Sequence, residues 1–244
     1  MNVAIQGFHY GDEWIPFSRR ASKSSAQKVV IKVKPDCTVE VLAPAESSDQ
    51  EVLKAVRKRG RWVYEQLRDF RQQLEHITPR SYVSGESHYY LGKQYVLKVE
   101  VNPHLPRSAK LLRGQIQVSV RENEPERVKL ALEEFYKARA KELFQKRLSA
   151  VLEQALWVEQ RPPIRVQTMQ TQWGSCSPKG RITLNPLLVK APRECIDYVI
   201  LHELCHIAEH NHSERFYRLM GQVMPKWEAV KQRLDRMAGR VFNE

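Results

Sequence analysis

The chain has 244 residues, enough to bury a substantial core in one large domain or in two of ordinary size. Hydrophobic residues make up 42% of it, but no apolar run approaches the ~18 to 20 residues that a membrane-spanning helix needs, so an embedded membrane protein is excluded. Forty Lys and Arg against 28 Asp and Glu leave a net charge of +12 at pH 7, which points to anionic partners.

The opening, MNVAIQGFHYGDEWIPFSRR, alternates apolar and polar residues and lacks the basic-then-apolar layout of a signal peptide, so a cytoplasmic protein is expected. Residues 28–34 (KVVIKVK) and 38–43 (TVEVLA) also alternate with period two and read as a hairpin about Pro35-Asp36. After Pro44, Ser47 or Ser48 can cap a helix running through EVLKAVRKRGRWVYEQLRDFRQQLEH, with a break or bend expected at Gly60. Strands return at 87–101 and 109–120, with Gly92 and Gly114 as turn residues.

From Pro125 the pattern becomes a long helix reaching about Trp157, with Val128, Leu132, Phe135, Leu143, Phe144, Leu148, Val151, Leu152 and Ala155 as its apolar stripe. A strand IRVQTM, a loop WGSCSPKG, a strand RITLN and a helix opened by Pro192 follow, and two further helices are expected around 213–222 and 225–238. No internal repeat is evident. The expected architecture is α+β: a strand-rich mixed region over 1–121, then a helical domain with a small sheet over 122–244.

The four cysteines, Cys37, Cys176, Cys195 and Cys205, show no CxxC pairing, so neither a zinc ribbon nor a disulfide scaffold is indicated. The positive excess gathers in Lys54 to Arg71 and in Arg127 to Arg147. It fits solvated helix faces, and equally attraction of nucleic acid, nucleotides or another anionic substrate. No zinc-finger or RNP sequence supports sequence-specific recognition.

The chemistry concentrates in Val199-Ile200-Leu201-His202-Glu203-Leu204-Cys205-His206, an HExxH in mid-helix. Histidines at i and i+4 share a face, so both imidazoles can reach one divalent ion. Glu203 projects about 100° round from His202, where it can deprotonate a water without occupying a coordination position. His212 is the expected third ligand, which requires a sharp turn after Glu209; Asn211 tolerates the left-handed conformation that such a turn can use. His210 and Glu228 are competing third ligands. Ser213 is placed to cap the next helix, with Phe216 on its apolar side. The strand Arg181 to Asn185 is expected at a sheet edge beside the metal, where Arg181 and Asn185 could meet an extended substrate. Tyr198, Tyr217 or Arg181 could stabilise an oxyanion.

Trp173-Gly174-Ser175-Cys176-Ser177, Ile182-Thr183-Leu184-Asn185, Ile196-Asp197-Tyr198-Val199-Ile200 running into HELCH, and Asn211-His212-Ser213 with Phe216 together resemble the YgjP-like predicted metal-dependent hydrolases. The resemblance is strong over about residues 125–244. It implies a zincin-type metallopeptidase domain related to SprT and WSS-like proteases, with His202, His206 and His212 as ligands and Glu203 as catalytic. The spacing equals that of the HExxHxxGxxH zincins, with Glu209 in place of the glycine. Three imidazoles suit zinc, and the expected activity is peptide-bond hydrolysis by a metal-activated water. Some proteins of the family are described as nucleotide pyrophosphatases, so a nucleoside triphosphate such as UTP is the alternative substrate. A nucleic-acid-associated module with a structural metal is the alternative of another class, against which the intact Glu203 argues.

Overall fold

The computed structural model describes residues 5–22, 29–75 and 80–242. By compactness the chain divides into two units, one running to Thr78 and taking in the segment from Ala238, the other Pro79–Met237.

The first unit places β1 (Ile5–Tyr10), β2 (Glu13–Ala21), β3 (Val30–Val33) and β4 (Val39–Ala43) in one sheet of order β1-β2-β4-β3. The expected hairpin is β3 and β4, while the alternation of the opening residues turns out to be a hairpin of its own, β1 and β2. The pleat sorts their side chains: Ile15 and Phe17 are fully buried, and Trp14 and Pro16 between and before them face outward. α1 (Asp49–Lys58) starts at Ser48, whose hydroxyl and the Glu51 carboxylate form a reciprocal capping box. The expected break falls at Arg59, and α2 (Gly60–Leu74) begins a new direction. A Cβ on Gly60 would lie 3.1 Å from Phe8 Cε2 and 3.2 Å from Tyr10 Cδ2, so glycine lets the start of α2 rest on β1.

The second unit opens with β5 (Ser87–Tyr90), β6 (Lys93–Val101), β7 (Ser108–Leu112) and β8 (Gln115–Val120), in the order β5-β6-β8-β7. This is the topology of the first sheet again. In each, two antiparallel hairpins join through a parallel pair, β2 with β4 and β6 with β8, and a helix follows. The sequence shows no repeat because the two sheets share strand order and not residues. At Leu91-Gly92 and Arg113-Gly114 both turn residues have positive φ (51° and 75°, 49° and 76°), the tight hairpin connection expected of those glycines.

α3 (Pro125–Leu152) buries Val128, Leu132, Phe135, Phe144, Leu148 and Val151 in the core of this unit, together with Ile116, Val118 and Val120 of β8. The change of composition near residue 122 therefore marks entry into α3, whereas the division by compactness falls at Thr78. α3 ends at Leu152, short of Trp157. Beyond it the indole of Trp157 donates to the Leu204 carbonyl at 2.9 Å.

A small sheet follows, β9 (Ile164–Val166), β10 (Gly174–Cys176) and β11 (Ile182–Leu184), in the order β10-β11-β9. This corrects two expectations. The segment WGSCSPKG is not all loop, because β10 lies within it, and the Arg181–Asn185 strand is central, paired on both sides, so that the edge belongs to β10. A 3-10 turn, Pro186–Lys190, leads to α4 (Arg193–Ala208), with Pro192 at its N-cap; α5 (Glu214–Val223) and α6 (Trp227–Phe242) complete the chain. Arg147 on α3 clasps Asp197 on α4 through two bonds of 2.6 and 2.7 Å. Among the described residues no helix is long and apolar enough to cross a membrane.

Candidate metal centre

α4 is buried almost all round: Tyr198, Val199, Ile200, Leu201, Leu204 and Cys205 are all in the core. A helix so enclosed has little freedom to turn about its axis, and His202 and His206 emerge from it half-buried on one face. The chain leaves α4 at Glu209, with φ −143° and ψ 105°. That extended conformation suits any residue, which is why glutamate serves where the similar motif has glycine. The turn also needs no left-handed residue at Asn211; Ser213 closes it by donating its N–H to the Asn211 carbonyl at 2.8 Å. Ser213 then caps α5, its hydroxyl accepting from the Phe216 N–H at 3.3 Å.

These constraints bring His212 back over the helix. One ring nitrogen from each of His202, His206 and His212 lies within 4.8 Å of the others, and this is the group among the described residues able to hold a metal ion. Neither His210 nor Glu228 belongs to it. The ring centroids stand 4.7 to 5.0 Å apart. Phe216, fully buried, forms their common floor, with its ring 4.7 to 4.9 Å from each imidazole. His206 is oriented through Nδ1, 3.1 Å from the Glu209 carbonyl; donation there leaves Nε2 with its lone pair.

Electrostatics fit a cation. Burial, reinforced by His206 and His212, pushes His202 down to about 3, and burial and His206 lower His212 as well, so both rings are neutral at physiological pH, the form that can ligate a cation. The Nε2 atoms of His202 and His212 are 3.0 Å apart, and two lone pairs so close call for a shared proton or a cation. Glu203 is 5% exposed, and burial pushes it up to about 8. It has no ion-pair partner among the described residues. A divalent ion on the three imidazoles would be a charge of the right sign to ionise it.

A cavity of about 420 Å³ opens over the group, lined by Gln172, Gly174, Ser175, Cys176, Pro178, His202, Glu203, His206, His210 and His212. No lysine or arginine is among them. The β10 residues and Gln172 are site residues that sequence reasoning did not single out. Their signal was the WGSC run itself, whose glycine lies against Glu203.

The other expected site residues stand elsewhere. Asn185 is fully buried: its amide donates to the Met169 and Gln172 carbonyls at 2.7 and 3.0 Å, and its oxygen accepts from the Leu187 N–H at 3.1 Å. It shapes the cavity wall from behind. Arg181 is exposed and closes the turn after β10, its N–H donating to Ser177 Oγ at 3.0 Å. Tyr198 is 6% exposed with its ring 5.8 Å from that of His202, and burial raises its phenol well above the usual range. Tyr217 is 43% exposed, 6.2 Å from the His212 ring and stacked on Trp227 at 5.4 Å.

The histidine group and the cavity over it fit a metal-dependent hydrolase. The chain belongs to the YgjP-like family, whose metallopeptidase-domain model matches residues 27–237. Two solved structures resemble parts of it. One is the metallopeptidase zymogen of Pyrococcus abyssi abylysin, 24% identical over 37% of this chain and 90% of that one, with a TM-score of 0.35. The other is the metallopeptidase zymogen of Methanocaldococcus jannaschii jannalysin, 23% identical over 37% and 92%, with a TM-score of 0.34. No curated protein matches the chain. The family implies a divalent metal ion.

Proposed function

We infer that this protein is a zinc-dependent peptidase in which His202, His206 and His212 hold the ion and Glu203 is the general base. The observation that carries this reading is the convergence of three imidazoles beside a buried, unpaired carboxylate at the base of one cavity. An all-imidazole donor set suits zinc better than magnesium, which prefers oxygen ligands. When bound, the ion supplies Lewis acidity, polarising a peptide carbonyl and acidifying water.

The chain's own groups do the rest. Glu203 accepts a proton from the attacking water as its oxygen adds to the carbonyl carbon. It then delivers that proton to the departing amine as the C–N bond breaks, leaving one carboxylic acid and one amine. β10, with one side unpaired in its sheet and in the cavity wall, can pair main chain to main chain with an extended peptide. Of the two tyrosines Tyr217 is the more exposed, and we assign it the role of donor to the oxyanion. A Tyr217→Phe enzyme with unaltered kcat removes it from that role. The lining disfavours a nucleoside triphosphate, because no cationic side chain is there to neutralise phosphates.

The test is Glu203→Gln on unstructured casein, with metal content measured in parallel. Metal should remain at the wild-type level while kcat falls by about 10²- to 10⁴-fold. Equal turnover by both proteins would overturn the assignment.

A further inference from the structure

The sequence holds two basic helical stretches, and the structure separates them. Along α3 most cations, all but Lys137 and Lys141, have counter-ions among the described residues: Arg127 meets Glu122 and Glu124 at 2.6 and 2.8 Å, Lys146 meets Glu142 at 2.7 Å, and Arg147 is clasped to Asp197. Their field is offset locally. At the junction of α1 and α2 it is not. Lys54, Arg57, Lys58 and Arg59 are all exposed, and none forms an ion pair among the described residues; Arg61 alone has a partner, Glu65 at 2.9 Å. The two acidic residues earlier on α1 are committed elsewhere, Asp49 to Arg19 and Glu51 to the cap, where it accepts from the Ser48 N–H at 2.8 Å.

Helix geometry gathers these charges. Val52 and Val56 are fully buried and set the inward side of α1. At about 100° per residue, Lys54, Arg57 and Lys58 then share an arc of about 100° on the opposite side. The partial negative charge at the end of α1 accounts for Arg57 and Lys58 as stabilising residues, but not for Lys54, or for Arg59 and Arg61 beyond that end. Beside Arg61, Trp62 is 40% exposed in the first turn of α2.

The chemistry selects among anionic partners. A membrane surface would need an apolar helix face to insert, but the apolar sides of α1 and α2 are spent in the core, where Val52, Val56 and Val63 are fully buried and Leu67 is 2% exposed. Closely spaced cations rich in arginine match the spacing and geometry of phosphates, and an exposed indole offers a face for stacking any base. We propose that the α1–α2 junction is a binding surface for single-stranded nucleic acid, with Lys54, Arg57, Lys58 and Arg59 on phosphates and Trp62 under a base. The surface lies outside the metal centre, so its failure and that of the peptidase reading are separable.

The experiment is fluorescence anisotropy of a labelled oligothymidylate with the full chain across a salt series. Wild type should bind at low salt, with a log–log salt slope of about −2 to −3 from three or four contacts at ~0.7 each. Lys54→Glu/Arg57→Glu/Lys58→Glu should weaken binding by roughly tenfold or more and flatten the slope by about 2. Trp62→Ala should cost about tenfold with the slope unchanged. Both variants should keep the wild-type melting profile and casein turnover. No binding at low salt, or equal binding by the triple variant, overturns the proposal. So does charge-dependent binding to phosphatidylglycerol vesicles without binding to the oligonucleotide.

Discussion

Gly174 of β10 packs so closely on Glu203 of α4 that a Cβ at position 174 would stand 2.7 Å from the carboxylate Oε1 and 3.1 Å from Cγ, with Val199 Cγ1, one turn earlier on α4, at 2.9 Å. Main chain that close can belong only to glycine. It also explains why Glu203 is buried and fixed in place. Gly174→Ala should displace the carboxylate by about an ångström and lower kcat by about 10²-fold, because general-base catalysis is steep in geometry. Metal content should not change, since the atoms nearest the new methyl belong to Glu203 and Val199 and not to a histidine. Unchanged kcat in the Ala variant would show that the carboxylate tolerates the shift.

Removing the metal should abolish activity without unfolding the chain. The three imidazoles rest on Phe216 at the rim of a core that α3, α4 and β8 build without them. Dialysis against a chelator should therefore leave the circular dichroism spectrum intact and lower Tm by several degrees, the linkage expected of a ligand that binds only the folded state. Zinc should restore both activity and Tm. His212→Ala should lose metal more readily than wild type, and a variant that keeps full occupancy would eliminate His212 as a ligand.

Alkaline conditions should weaken the second unit through Cys195. This thiol is fully buried, and burial, with Glu194 next in effect, pushes it up to about 11 from 9.0. Below pH 9.0 both folded and unfolded chains hold the proton, and the stabilisation is intact. Between 9.0 and about 11 the unfolded chain releases a proton that the folded chain retains, so stability falls as pH rises. In urea titrations with chelator present, wild type should lose more stability than Cys195→Ala over that window. Parallel losses would assign the alkaline effect to other groups.

The local elements were largely legible. Ser48 and Ser213 cap helices as their side-chain chemistry requires, Gly92 and Gly114 make hairpin turns, and the i, i+4 spacing puts His202 and His206 on one face. Misreadings came where a side chain's role depends on what lies across from it. Arg181–Asn185 had the alternation of a strand, and nothing local says which of three short strands takes the edge. Asn185 had the polarity of a site residue, and its amide is consumed by the carbonyls of Met169 and Gln172.

What the sequence by itself determined is whatever acts over a few residues: caps, turns, pattern periods, the ligand types and the spacing that puts two of them on one helical turn. Only the tertiary structure decided that β10 faces Glu203, that Phe216 floors the three imidazoles, that both units use one sheet topology, and that most basic residues of α3 are paired while Lys54, Arg57, Lys58 and Arg59 form no ion pair among the described residues. The reason is physical. Strand order, burial and ion pairing are set by contacts between segments far apart in the chain, and these follow from how the cores close rather than from any local preference.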